Sequence, residues 1–263
     1  MATSVVSSIT RMGRNEPFEL QVARGQITWH ETVFKFGLNL DVGTSFETIW
    51  TGSTLYSYLS AASVLKISSA SADDASGGTG ARSVAIYGLD ANYNEISESV
   101  LLDGQTSVNT GNSYLRITRM FVTTAGSGGT AAGIIYAGTG TVTSGVPANI
   151  YAQILVGYNQ TAMALWTVPS GYTAYMSGYT ILSGITTANT VFTGALFIRE
   201  TGGVFRLQSS IKTGSGGGHD HTFNTALRIP EKTDIELRAA SSTAGASATG
   251  EMQIIYIKND ANA

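Results

Sequence analysis

Short runs of alternating apolar and polar residues, divided by clusters of Gly, Asn, Asp, Ser and Pro, fill most of the chain. Such a period of two belongs to half-buried β-strands. Arg82–Tyr87 sets Val84 and Ile86 on one face; Gly88–Asn94 is a hairpin connection, and Glu95–Leu102 returns with Ile96, Val100 and Leu102 in phase. Glu98 shares that phase, which predicts either a bulge or a wet strand end. Tyr114–Val122 follows as a third run. Further strands are predicted over Ile150–Val156, Ala162–Val168, Tyr172–Ser183, Thr190–Glu200, Val204–Lys212, Phe223–Ile229, Thr233–Ala239 and Gly250–Lys258, with turns at Pro169–Gly171 and Gly202–Gly203. One helical turn is expected, at Ser45–Trp50 with Ser45 as its cap. In Tyr172–Ser183, strict alternation places Tyr175, Ser177, Tyr179 and Ile181 on one side. The run Glu251–Ile257 is apolar on both faces, as in a strand sealed by a neighbouring subunit.

The fold class is therefore all-β: a β-sandwich, jelly-roll-like, at the C-terminus, preceded by a smaller antiparallel β domain and an extended N-terminal arm. The arm is read as residues 1–34, where charged residues mix with isolated anchors and Pro17 disfavours a central strand. A Gly-rich β domain spans 35–147 and the sandwich 148–263, divided where a Gly/Thr/Ser-rich stretch ends at Pro147.

Composition narrows the function. Only 13% of the 263 residues are charged and 31 are Gly, a balance suited to β surfaces packed against neighbours. A net charge of −3 leaves no basic footprint for nucleic acid. The absence of Cys excludes disulfides, thiolate metal sites and Cys nucleophiles. The first residues lack the basic start and apolar stretch of a signal peptide, and no apolar run reaches membrane-spanning length, so no membrane partner is expected.

Few residues look chemical. His219 and His221 would share a face of an extended segment, where a metal takes two imidazoles once a third ligand, or copies gathered on a trimer axis, joins them; a polar hairpin tip is the simpler reading. Asp73 and Asp74 beside Gly77–Gly80 offer oxygen ligands to Ca²⁺ but lack the remaining acids of a recognised loop. The pairs Glu95/Glu98 and Asp234/Glu236 read as strand-surface acids, not as a glycosidase pair. No GxSxG elbow occurs. No catalytic residues, metal or cofactor are assigned, and the chain is read as a non-enzyme.

Residues 35–133 contain KFGLNLDVGTSFETIWTGSTLYSY and then a stretch holding GGTGAR, GLDANYNE and NSYLRI at fixed spacing. This combination resembles a family of virion structural proteins of tailed phages, especially those of marine bacteria. The resemblance implies a location, the capsid surface or tail of a virion made in a bacterial cytoplasm, and transfers no active-site residue. It leads to the expectation of a capsid decoration or cement protein, partnered by the major capsid protein and by itself as a homotrimer. Phe18, Trp29, Phe36 and Trp50 are the expected anchors to the shell. The alternative is a head-fibre or tail adhesin that binds a host glycan through Tyr172, Tyr175 and Tyr179.

Overall fold

The computed structural model describes residues 16–184, 190–214 and 216–259. Among these residues it is all-β apart from one short helix, α1 (Phe18–Ala23). The strands in order are β1 (His30–Val42), β2 (Glu47–Thr48), β3 (Ser63–Ser69), β4 (Ala81–Leu89), β5 (Glu95–Leu101), β6 (Val108–Tyr114), β7 (Arg116–Ala125) and β8 (Ile135–Thr143). They continue as β9 (Val146–Ile154), β10 (Leu165–Thr167), β11 (Tyr172–Ser183), β12 (Phe192–Arg199), β13 (Arg206–Thr213), β14 (Gly218–Ile229), β15 (Asp234–Ser241) and β16 (Ala246–Lys258).

Four sheets result. One runs β1-β16-β11-β14; a second runs β10-β15-β12-β13, with β2 also paired to β15. Both contribute to one apolar core, with Met176, Ile181 and Met252 from the first and Leu196, Ile235 and Leu237 from the second. The third sheet, β6-β3-β8-β9, and the fourth, β5-β4-β7, share another core around Ile67, Ile86, Tyr114, Met120 and Ile135. Tyr114 and Phe192 are wholly buried, one in each core. Each contributes about 2–3 kcal/mol by the usual area scaling.

The sheets divide the chain differently from the boundaries expected at 34/35 and 147/148. β1 pairs with β16 from His30↔Ile257 to Val42↔Ala246, so residues 30–42 belong to the sheets of the C-terminal half. Strands β3 to β9 are then an insertion between β2 and β10. The Gly-rich stretch near 145 is no linker. It is the β8–β9 hairpin, whose Ser144 (φ 48°) and Gly145 (φ +81°) adopt the paired positive φ of a tight two-residue turn. Nor are the described residues of 16–34 an extended arm: they form α1, a turn and the start of β1. Residues 1–15 of that segment lie outside the described residues.

The two cores meet at β10. Its Leu165 enters one and its Trp166 the other, since successive strand side chains point to opposite faces. Ile49 accepts from the Ala164 amide at 2.9 Å beside this seam. Gly37 of β1 crosses there; a β-carbon on it would lie 2.1 Å from the Ile49 carbonyl oxygen, which demands glycine. The helical turn expected at Ser45–Trp50 is instead β2, because Glu47 and Thr48 pair with Ala239 and Arg238 of β15. Local capping chemistry yields here to a free sheet position.

Candidate functional site: a cleft between two sheets

Three clusters of polar residues deserve separate accounts, because the fold places them in three different environments.

The first is a knot of loops. Asp74 is fully buried; Oδ1 accepts from the amides of Ala81 (2.7 Å) and Ala132 (2.8 Å), and Oδ2 from Gly133 N (2.8 Å) and Ser69 Oγ (2.5 Å). Its lone pairs are spent on the chain itself, and Asp73 is exposed beside it. The carboxylate ties β3, β4 and the loop before β8 together, where the sequence had offered a Ca²⁺ cradle. Glu98 acts similarly. The β4–β5 register is unbroken, so no bulge is present, and the carboxylate accepts from the Gly111 and Asn112 amides and the Tyr114 hydroxyl.

The second is a buried ionic junction. Asp234 of β15 takes a two-point contact from Arg116 of β7 (Nε 2.8 Å, Nη2 3.1 Å), and Arg199 of β12 closes on Oδ2 at 2.6 Å. Thr167 Oγ1 donates to the same carboxylate at 2.6 Å. Next along β15, Glu236 accepts from Arg238 (2.7 Å) and Thr48 (2.9 Å). The guanidinium groups of Arg116 and Arg199 lie 4.7 and 4.4 Å from the centre of the Tyr58 ring. Asp234 and Glu236 are thus interior ions, not the surface acids that their strand spacing implied. Glu236 Oε1 and the Tyr58 hydroxyl are both buried and lie beside each other, each the other's polar neighbour. Burial and then the neighbouring carboxylates of Glu236 and Asp234 hold that hydroxyl protonated.

The third is an open cleft of about 720 Å³ between the β1 and β16 side of one sheet and the β4 and β7 side of another. Phe34 and Phe36 of β1 stack at 6.2 Å in one part of its lining. Tyr87 of β4 and Phe121 of β7 stack at 5.8 Å and 17° in another. Within the same lining, Lys35 donates to the Thr118 carbonyl oxygen, and Arg119 lies 4.7 Å over the Phe121 ring while donating to Gln160 Oε1 at 2.8 Å. Burial, and then the charge of Arg119, lower the Lys35 pKa to about 7. Glu95 and Tyr256 meet at 3.5 Å on the same lining, and burial raises the pKa of both. It is concave, partly apolar and furnished with a few convergent polar groups, the features common to small-ligand sites.

The residues expected to carry function scatter. Phe18 and Trp29 are exposed on α1 and just before β1. Phe36 is half-buried in the cleft. Trp50 is 4% exposed and donates to the Thr54 carbonyl at 2.9 Å, so it cannot anchor a partner. Tyr179 is buried too. A β-bulge at Ser177 shifts its register and turns it inward, where its hydroxyl meets Ser209 Oγ at 2.9 Å. Tyr172 packs 5.2 Å from Tyr256, and Tyr175 lies opposite Ile255, so the three tyrosines form no common platform. His219 and His221 do share a face, with ring nitrogens 3.4 Å apart, but in strand β14 against Tyr179 and Phe223. No group of three His, Cys, Asp or Glu suited to a metal occurs among the described residues. No helix there is long and apolar enough to cross a membrane.

Nothing in the sequence pattern singles out Arg116 or Arg119. A lysine between two phenylalanines in a β-run was the available signal, since neighbours in a strand point opposite ways and one of the three must turn inward.

No protein-family model matches the chain, and no curated protein matches it. Among solved structures, that of the infectious bursal disease virus Gx strain is 11% identical, with 88% of this chain and 77% of that one covered at a TM-score of 0.19. The crystal structure of the infectious bursal disease virus VP2 subviral particle is also 11% identical, covering 89% and 78% at 0.18. The Gt strain structure is 12% identical, covering 93% and 83% at 0.18. Superpositions that poor carry no argument about fold or function.

Proposed function

We propose that this chain is a non-enzymatic structural protein of a virion that decorates the capsid, docking on the major capsid protein lattice as a homotrimer. The observation that carries this reading is the exposure of three large apolar side chains near the N-terminal end of the described chain. Phe18, Leu20 and Trp29 are 45%, 46% and 55% exposed, close together in sequence, and Trp29 is held at φ 67°. Three large side chains kept in water cost a monomer and suit a partner surface. Trp and Phe are moreover the side chains that carry most energy in interfaces. The resemblance of residues 35–133 to phage structural proteins supplies the setting.

Strand order gives further support. β1-β16-β11-β14 facing β2/β10-β15-β12-β13 follows the connectivity of an eight-stranded jelly roll, with β2 and β10 sharing one position and β3 to β9 inserted there. Jelly rolls are frequent in capsid and lectin domains. A trimer repeated over a lattice multiplies weak contacts by exposed apolar side chains through multivalency.

The test uses particles depleted of the protein. Added wild-type chain should bind them and raise the temperature of DNA release. The triple variant Phe18→Ser, Leu20→Ser, Trp29→Ser should stay folded and fail to bind. Wild-type chain that leaves heat resistance unchanged, or a triple variant that binds as well as wild type, overturns the reading. Deleting residues 1–34 would be a poor substitute, because it also removes the first five residues of β1.

A further inference from the structure

The cleft holds two cations that have no counter-ion among the described residues. Lys35 is 7% exposed, and its ammonium group donates to one carbonyl oxygen, that of Thr118. Five salt bridges occur among the described residues, and neither Lys35 nor Arg119 is in any of them. The two are instead close enough for Arg119 to disfavour the charge on Lys35. A buried cation with a like charge beside it is costly unless a carboxylate or phosphate joins it. Nearby acids do not fill that role. Glu95 of β5 engages the Tyr256 hydroxyl of β16, and Glu31 of β1 acts on that pair. The remaining titratable group of the lining is the Tyr87 hydroxyl of β4.

The walls specify the rest of a ligand. Tyr87 stacks on Phe121 in the wall that carries Arg119, and Tyr87 is the exposed ring of that pair, while Phe34 and Phe36 border the cleft from the face of β1 opposite to Lys35. Flat apolar faces interrupted by hydrogen-bonding groups suit a ring that is apolar on its faces and polar at its edge. A pyranose is such a ring. We propose that this cleft binds an acidic saccharide, its carboxylate between Lys35 and Arg119 and a sugar ring against the exposed face of Tyr87. The volume of about 720 Å³ falls in the usual range for small-ligand sites and admits more than one ring. This inference does not rest on the decoration reading, because a virion protein of any position, or a protein of another kind, can carry such a cleft. It also moves saccharide recognition away from Tyr172, Tyr175 and Tyr179 to residues that only the fold brings together.

The test is calorimetric titration of the full chain with a short glucuronic-acid oligosaccharide, with the same compound after reduction of its carboxylates to alcohols, and with an acidic peptide of equal charge. The acidic sugar should bind at least tenfold more tightly than either control. Lys35 loses its charge near pH 7, so the sugar should bind up to about tenfold more weakly at pH 8 than at pH 6. Lys35→Met should weaken binding and flatten that profile. Arg119→Gln and Tyr87→Ala alter exposed side chains and spare the fold; each should cost tenfold or more. No binding at millimolar sugar, equal binding of the neutral sugar or the peptide, or an unchanged affinity in both exposed-site variants overturns the proposal.

Discussion

Arg116 and Arg119 stand three residues apart on β7 and meet opposite fates. Arg116 points into the junction, where Asp234 grips it at two points and Tyr58 covers it. Arg119 lines the open cleft together with Lys35, lies on Phe121 and takes part in no ion pair among the described residues. Both arginines lie where the two sheet pairs adjoin. Within one interface, therefore, the chain neutralises some charges internally and leaves others unmatched. Neutralised charge holds the interface together. Unmatched charge at the rim of a cavity weakens it and invites a ligand.

The largest effect should come from breaking the neutralised side. Asp234→Ala leaves Arg116 and Arg199 without their shared carboxylate, and a buried ion stripped of its partner costs about 3–5 kcal/mol. Chemical denaturation should show this as a lower midpoint, and both sheet pairs should be lost together, since β10 feeds both cores. Two separate transitions, or a loss below about 1 kcal/mol, would mean the junction does not hold the pairs. Somewhat less, about 1–3 kcal/mol in all, should follow from Asp74→Ala, because water entering the vacated space takes up most of the three backbone amides and one hydroxyl that it strands. Added Ca²⁺ should leave the melting temperature of wild-type protein unchanged. A rise would restore the ion-cradle reading of Asp73 and Asp74.

The strands were readable and their partnerships were not. Tyr172–Ser183 is β11 to the residue, because a long alternating run between a Pro-Gly turn and Gly184 has one local solution. The Gly88–Asn94 loop was equally plain, and Asp90 holds it by accepting from the Asn92 and Asn94 amides. What failed was any inference that needed to know which strand lies beside which. The first 42 residues read as arm and first domain, but β1 finds β16 more than two hundred residues later, a pairing that no local period encodes. The bulge at Ser177 defeats strict alternation by one residue and buries Tyr179. Asp234 and Glu236 look solvent-facing by pattern because their partners, Arg116, Arg199 and Thr48, arrive from other strands. For the cleft, the aromatic and basic residue types were visible, while their convergence depends on two sheets meeting.

On the unmatched side the sign reverses. Lys35→Met keeps most of the side-chain volume and removes a buried, uncompensated charge, so the protein should become more stable, by about 2 kcal/mol at pH 6. The pH dependence isolates the cause. The folded-state pKa is lowered from 10.5 to about 7, so below that value folded and unfolded chains both carry the proton and the fold bears the full cost of burying it. As pH rises from about 7 toward 10.5, the folded lysine is neutral while the unfolded one remains protonated, and stability climbs. Wild-type melting temperatures should therefore gain on those of Lys35→Met between pH 7 and 9, before the tyrosines of the unfolded chain ionise. Parallel curves would mean that Lys35 is hydrated and that its neighbourhood is no different from an ordinary surface.

The smallest effect on stability should be the sharpest test of the contrast on β7. Arg119 is exposed and takes part in no ion pair among the described residues, so Arg119→Gln should change stability by no more than about 0.5 kcal/mol. Arg116→Gln, the same exchange three residues earlier, should cost about 3–5 kcal/mol, because it leaves Asp234 short of a buried partner. A second readout separates an inert Arg119 from one that shapes the cleft. Its charge lowers the Lys35 pKa, so removing that charge should let the Lys35 value rise. Labelling the lysines by reductive ¹³C-methylation and following Lys35 by NMR would show the titration move to higher pH in Arg119→Gln. An unmoved Lys35 titration would mean that the two cations are insulated from each other, and that the cleft does not concentrate positive charge. A large loss of stability in Arg119→Gln would show that this arginine, like Arg116, belongs to the internal scaffold.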